Sequence, residues 1–266
     1  PIGIDHKDFL KKGTIDEIVY EKCSHLLKKS IIVVSEQNKK VLKKIKKNIK
    51  TNSSKKIIFG KDYSYKKNSK SFIYSDRFGK INLPLPNLLG DFQISNVSSA
   101  IATIRNLNKF NINEVHFSKA IRKIRSEGRL QKISKGKLKN LVSKNNEIII
   151  DGAHNSLAAF EIKKYLRKFG SKKKIIMVLG MMMNKEHKEF INIFKHSVHS
   201  IVALDIPNQT NFMQKDKLSK IAQSCGIISK TENSIEEALK NISSNTKYAD
   251  IDPTQYKEPK GMWALK

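Results

Sequence analysis

The chain has 266 residues, 39% hydrophobic and 29% charged, which is enough for one large or two ordinary domains with a real core, and its periodic apolar blocks exclude wholesale disorder. Its longest apolar stretch, Ile175 to Met183, carries a glycine and falls well short of the roughly 20 residues that a membrane-crossing helix needs. Lys+Arg 52 against Asp+Glu 24 gives +28, but only six are Arg (Arg77, Arg105, Arg122, Arg125, Arg129, Arg167) and the lysines are spread everywhere, unlike a phosphate-reading surface, which enlists Arg for its bidentate fork. The opening Pro1 to His6 reads as the end of a strand entering a loop; with no initial Met, a fragment is expected. Thr14 to Lys28 places Ile15, Ile18, Val19, Cys23, Leu26 and Leu27 on one helical stripe, with Thr14 as N-cap. A buried strand at Ile31 to Val34 precedes a helix at Lys39 to Lys50, whose lysines form a solvated face over Val41, Leu42, Ile45 and Ile49. Short strands are predicted at Ile57 to Phe59, Ser71 to Ser75 and Ile81 to Leu85, then helices at Ile94 to Leu107 and Val115 to Arg125.

Ser126 to Gly128 is the expected hinge. Beyond it, strands at Glu147 to Ile150, Ile175 to Leu179 and Ile201 to Leu204 alternate with helices at Ser156 to Phe169, Lys185 to His196, Gln214 to Ser224 and Ile235 to Ile242. On the first of these helices Ala158, Ile162, Tyr165 and Phe169 are expected to face inward. Such alternation predicts an α/β fold with a parallel sheet covered on both faces. From Ala249 to Lys266 the pattern is lost and an irregular tail is expected. Two cysteines, Cys23 and Cys225, make no disulfide framework, and no signal peptide opens the chain, so the cytoplasm is the expected location.

No phosphate loop is present in the sequence. Gly-Lys occurs at Gly60, Gly79 and Gly136 without the following Ser or Thr, and no GxGxxG exists. Four other constellations stand out. Asp151-Gly152-Ala153-His154-Asn155 lies between a strand and a helix, where open parallel sheets bind ligands. It reads equally as chemistry or as local structure, with Asn155 capping the helix and Asp151 ordering the turn. Asp5-His6 offers a metal ligand or a structural imidazole. Lys22, one position from the apolar stripe, would be costly to bury as an ammonium, so it is either paired with Glu17 or Glu21 or converted to a carbamate. Gln93 and Asn96 follow Leu83-Pro84-Leu85-Pro86 and Gly90, one helical turn apart, and either read a base edge or cap the helix; Arg129, in Gly128-Arg129-Leu130-Gln131, reaches phosphate or is a linker charge. His196 and His199 lack the acidic partner of a zinc helix motif.

Taken in order, Ile2-Gly3-Ile4-Asp5-His6…Phe9-Leu10, Glu21-Lys22, the Leu83 to Asn96 segment, Gly128 to Gln131, Asp151 to Asn155 and Leu179-Gly180…Lys185 resemble folylpolyglutamate synthase/dihydrofolate synthase, in the Mur ligase superfamily of ATP-dependent amide ligases. The resemblance implies residues 1–127 as the C-terminal part of a central ATP-binding domain and 128–251 as a Rossmann-like C-terminal domain with a mostly parallel sheet. It implies ATP and Mg2+ as cofactors, and folate or dihydropteroate with L-glutamate as substrates. The reaction it implies passes through an acyl phosphate, in a monomer without nucleic-acid or membrane partners. By the same resemblance His6 binds magnesium, Lys22 is carbamylated and supplies a metal-binding anion, Asn96 contacts adenine, Arg129 reaches the nucleotide, and Asp151 and His154 face nucleotide and glutamate. Phe92 and Cys23-Ser24 depart from the family pattern. The N-terminal part with the phosphate loop is missing, so this chain is expected to be inactive alone, and 252–266 replaces a family strand ending in Gly-Ser, as a frameshifted or foreign tail would. The alternatives are another Mur-type amide ligase and a basic, non-enzymatic nucleic-acid-binding module.

Overall fold

At Thr14, Asn38, Asn113 and Asn155 a side chain accepts from the first free backbone N–H groups of the helix that follows. A computed structural model describes residues 1–4, 10–107, 111–169 and 173–244, and the backbone of 261–265. The chain divides into two compact units, Pro1–Arg125 and Ser126–Lys266.

In the first unit, α1 (Ile15–Ser24) begins with a capping box: Glu17 N–H donates to Thr14 Oγ1 (3.3 Å), and Thr14 N–H to the Glu17 carboxylate (3.2 Å). The helix ends at Ser24, short of the expected Lys28. Ser24 Oγ donates to the Glu21 carbonyl (2.8 Å), and Lys29 turns the chain at φ 64°, so Leu27 leaves the stripe and is 76% exposed. Val19 of α1 packs with Val41 and Ile45 of α2 (Lys39–Asn48) and with Ile32, Val34 and Ile58 of the parallel pair β1 (Ile31–Val34) and β2 (Lys55–Ile58). A second core holds an antiparallel meander, β3 (Tyr63–Lys67), β4 (Ser71–Asp76) and β5 (Gly79–Pro84), against α3 (Phe92–Arg105) and α4 (Glu114–Lys123). Here Phe72, Tyr74 and Leu83 meet Ile94, Val97, Ile101, Phe117 and Ile121. Arg105 clasps buried Asp76 through two hydrogen bonds of 2.8 and 3.0 Å, tying α3 to β4.

The second unit is an α/β fold. Its six-stranded sheet has the order β10-β9-β8-β11-β7-β6, parallel except for the β6–β7 pair. The strands are β6 (Gln131–Ile133), β7 (Ile148–Asp151), β8 (Ile175–Leu179), β9 (Ser200–Ala203), β10 (Ile228–Thr231) and β11 (Gly261–Leu265). The helices are α5 (Lys137–Asn140), α6 (Ser156–Leu166), α7 (His187–Ile193), α8 (Lys215–Ser224) and α9 (Ile235–Ser244). Ile148, Ile176, Val178 and Val202 form one face of the sheet and pack against Ala238, Leu239 and Ile242 of α9. On α6 the buried positions are Ala159, Ile162 and Leu166: Ile162 is as expected, Ala158 and Tyr165 are each half-buried one position before a buried residue, and Phe169 is half-buried beyond the helix end.

The expectation of an irregular tail over 252–266 is corrected at Gly261–Leu265. This segment is β11, seated between β7 and β8 and parallel to both, with Met262 opposite Ile148 and Ile176. Met-Trp-Ala-Leu is too short a run to show a period, yet it is the kind of run that fills a buried parallel strand. Its backbone pairs the inner edges of β7 and β8, whose N–H and C=O groups need partners.

Candidate active site

Three βα connections gather along the edge of the second unit's sheet where parallel strands end. At β7 the chain leaves the strand through Asp151, 3% exposed, whose two carboxylate oxygens each accept a backbone N–H: Oδ1 from Ala153 (2.8 Å) and Oδ2 from Leu130 (2.7 Å). Burial pushes its carboxyl above the usual range, while those two hydrogen bonds and the charges of Arg129 and His154 pull it back. Asn155 Oδ1 accepts from Ala158 N–H (2.9 Å) and caps α6. His154 Nδ1 lies 2.9 Å from the Gly152 carbonyl, a bond that requires the proton on Nδ1. Both local roles left open by the sequence for Asn155 and Asp151 are therefore present.

The Gly128–Gln131 segment folds onto this loop as an arch. Gly152 N–H donates to the Gly128 carbonyl (2.8 Å), and Gly128 N–H donates to Gln131 Oε1 (2.9 Å). Gly128 sits at φ 63°, a left-handed conformation that glycine adopts without strain, and Leu130 follows at φ 45° with its side chain buried. Arg129, between them, is exposed.

The connection after β8 opens at Gly180, where a Cβ would lie 3.0 Å from Ile206 Cγ1 and 3.3 Å from the Leu204 carbonyl, so only glycine fits without displacement. This connection pairs with the one after β9: Met183 N–H donates to the Asn211 carbonyl (3.0 Å) and Met213 N–H to the Met181 carbonyl (2.8 Å). Residues 205–213, which sequence reasoning did not single out, thus bring Asn208 and Asn211 to the same sheet edge. Pro207-Asn208, with Asn208 at φ 59°, is the turn signal that would have marked them. Buried His187 holds the β8 connection through a 2.9 Å contact of Nε2 with the Met182 carbonyl, and burial lowers its pKa.

In the first unit the expected site residues stand differently. Asp5 and His6 lie outside the described residues. Lys22 is exposed in the last turn of α1, so the burial from which the carbamate reading started is not what the structure shows. Glu17 is engaged in the capping box. Asn96 is exposed and its Nδ2 donates to Oε1 of buried Gln93 (3.0 Å); neither amide caps α3, which has no side-chain cap. Asp91, at the N-cap position, pairs with Lys67 (2.7 Å). Among the described residues no three His, Cys, Asp or Glu side chains converge as metal ligands.

The Mur ligase glutamate ligase domain family matches residues 128–251, the segment that runs from the arch through α9. Over those residues, a little under half of its length, the chain is similar to the Mur ligase glutamate ligase domain. The dihydrofolate synthase/folylpolyglutamate synthase of Buchnera aphidicola is 29% identical over 199 residues, covering 74% of this chain and 44% of that protein. The folylpolyglutamate synthase of Mycobacterium tuberculosis, complexed with ADP, shares the fold at TM-score 0.81 and 18% identity, covering 100% of this chain and 59% of that one. The bifunctional folylpolyglutamate synthase/dihydrofolate synthase of Yersinia pestis, complexed with AMPPNP and Mn ion, gives TM-score 0.75 at 15% identity, covering 99% and 56%. The chain thus spans about half the length of the relatives it matches.

Proposed function

We propose that this chain forms part of an ATP-dependent ligase that joins L-glutamate to folate or dihydropteroate. The observation that carries the reading is the bonded pair of Gly128–Gln131 arch and Asp151–Asn155 loop at the end of β7, inside a segment that matches the glutamate ligase domain. The relatives' names supply the substrates, and their complexes with ADP and with AMPPNP and Mn ion support ATP and a divalent metal.

In this reading ATP transfers its γ-phosphoryl group to a pteroate-type carboxylate, giving an acyl phosphate and ADP. The glutamate amine then attacks the acyl carbon, inorganic phosphate leaves, and the amine gives up a proton as the amide forms. An arginine suits polyphosphate because its planar fork makes paired charge-assisted hydrogen bonds. Arg129 takes that role and Asn96 the adenine. Asp151 borders nucleotide and glutamate, and His154 orients the glutamate amine from the mouth of the loop. The carbamate on Lys22 and the metal role of His6 rest on the resemblance alone. Residues 1–127 act as part of a central ATP-binding domain and 128–251 as the glutamate-side domain, in a cytoplasmic monomer.

Transfer of 18O from a labelled pteroate carboxylate to inorganic phosphate, measured with the chain extended to the full length of its relatives, tests the acyl phosphate. Label in phosphate is expected; glutamate incorporation without label transfer contradicts the mechanism. The 266-residue chain alone, whose sequence contains no phosphate loop, is expected to show no turnover.

A further inference from the structure

The exposed face of α2 departs from good helix electrostatics in one consistent direction. Six of its ten residues are lysine and none is acidic, whereas every other helix of ten or more residues that contains a lysine also contains Asp or Glu. Lys39 and Lys40 lie in the first turn, where the positive end of the helix dipole disfavours them, and lysines three and four positions apart repel one another. Lys44 is covered by Asp16 of α1; among the described residues no acid pairs with the other lysines of the helix. Lys40, Lys43, Lys47 and Lys50 run along the crest at a mean rise of about 5 Å, and all four are exposed. The Lys50 N–H, on the Lys47 carbonyl (3.4 Å), carries the row past the helix end. The opposite face is committed to the core, where Val41, Ile45 and Ile49 pack with Val19, Ile32, Val34 and Ile58. Local stability is thus given up for a row of like charges, as happens where a surface serves a partner.

We propose that this lysine row is a docking track for a chain of carboxylates, the poly-γ-glutamyl tail of a folate. This rests on the glutamate ligase reading above and extends it to the part of the acceptor that does not react. Each γ-linked residue adds five chain bonds and one free α-carboxylate, so the carboxylates recur about every 6 Å, close to the rise between successive lysines. Ammonium groups are point charges on flexible stems and meet carboxylates that present no fixed plane. One such exposed pair is weak, but pairs linked in a single chain add. The row starts where β1 gives way to α2, at the edge where parallel strands end and ligands gather. Other polyanions fit less well. A membrane would need the apolar face, which is core. Nucleic acid is gripped by arginine forks and aromatic platforms, and α2 has neither arginine nor an aromatic residue.

The test uses the 266-residue chain at low salt with hexa-γ-L-glutamate as probe, beside the γ-linked dimer, hexa-α-L-glutamate and a short DNA duplex. The γ-linked hexamer is expected to bind about tenfold or more tighter than the dimer, to weaken steeply as salt is raised, and to shift the amides of residues 39–50. The variant carrying Lys43→Gln, Lys47→Gln and Lys50→Gln is expected to lose about tenfold in affinity for it. Relieved of repulsion, that variant should melt no lower than the parent. In an extended α-linked peptide successive side chains point to opposite sides, so only every second carboxylate meets the row, and binding about threefold or more weaker is expected. Equal or tighter binding of the α-linked peptide overturns the proposal in favour of an acidic protein segment. A DNA duplex that binds more tightly than the γ-linked hexamer, and is lost with the same three substitutions, overturns it in favour of nucleic acid. Unchanged affinity in the triple variant also overturns it. Should that variant not fold, the amides of the unmodified chain decide: shifts that leave residues 39–50 unmoved overturn the proposal. The probe contains no pteroate, so binding is read apart from ligation. Glutamate ligation by the chain extended to its relatives' length, without peptide binding, overturns the track alone. Peptide binding by an extended chain that ligates no glutamate overturns the ligase reading, and the folate as owner of the tail with it.

Discussion

The end of β7 and the end of α1 each carry a short motif with an ionisable residue expected to work, and they are built in opposite ways. At β7 the motif closes on itself and on the arch: Asp151 holds two backbone N–H groups and Asn155 a third. At α1, Lys22 is exposed on the helix itself, and Glu17 of the same helix is spent on capping. A site assembled from residues within one unit is already organised. One whose lysine must be desolvated to react needs covering groups that the described part of its unit does not supply.

The largest effect that bears on this difference should come from ending the chain at Ile251. Loss of β11 unpairs the inner edges of β7 and β8, so the second unit should lose cooperative unfolding or drop in Tm by more than about 10 °C while the first unit keeps its transition. A Tm within a degree of the parent would place β11 outside the working sheet. Arg105→Met makes the mirror change. It strands buried Asp76 and should cost the first unit about 3–5 kcal/mol in denaturant unfolding, leaving the Leu130 and Gly152 amides unshifted in NMR spectra. Next in size, Asn155→Ala should cost about 1 kcal/mol by removing the cap of α6, whereas Lys22→Ala should stay within about 0.5 kcal/mol. Equal costs would erase the contrast between the two motifs.

Acid should reach the second unit through His199, whose pKa burial pushes down to about 4 from 6.5, with the Lys174 charge adding to the shift. Between those values the unfolded chain binds the proton and the folded one does not, so stability falls as pH drops from about 6.5 toward 4 and then levels. His199→Gln should flatten that slope in thermal melts; an unchanged slope would assign it to other groups.

Much of this architecture was legible in the sequence, because apolar periodicity reports burial directly. The strands at Ile31–Val34 and Ile175–Leu179 and the α3 face of Ile94, Val97 and Ile101 appear where expected. Elements that bury little on one side were not legible. In β3, Ser64, Lys66 and Lys67 hide the alternation of Tyr63 and Tyr65, and β10 buries chiefly Ser229. Asn155 and Asp151 could be read as cap and turn because their partners lie two or three residues away. The arch could not: Gly128 and Gly152 meet through backbone atoms, which leave no trace in side-chain identity.

Amide chemical-shift mapping of the 15N-labelled chain during titration with ADP and magnesium tests the central claim most directly. If the arch and the β7 loop are the nucleotide-facing edge, the amides of Gly128, Arg129, Leu130, Gly152 and Ala153 shift together and saturate with one affinity. Shifts confined to residues 1–125, with those five amides unmoved, would contradict it.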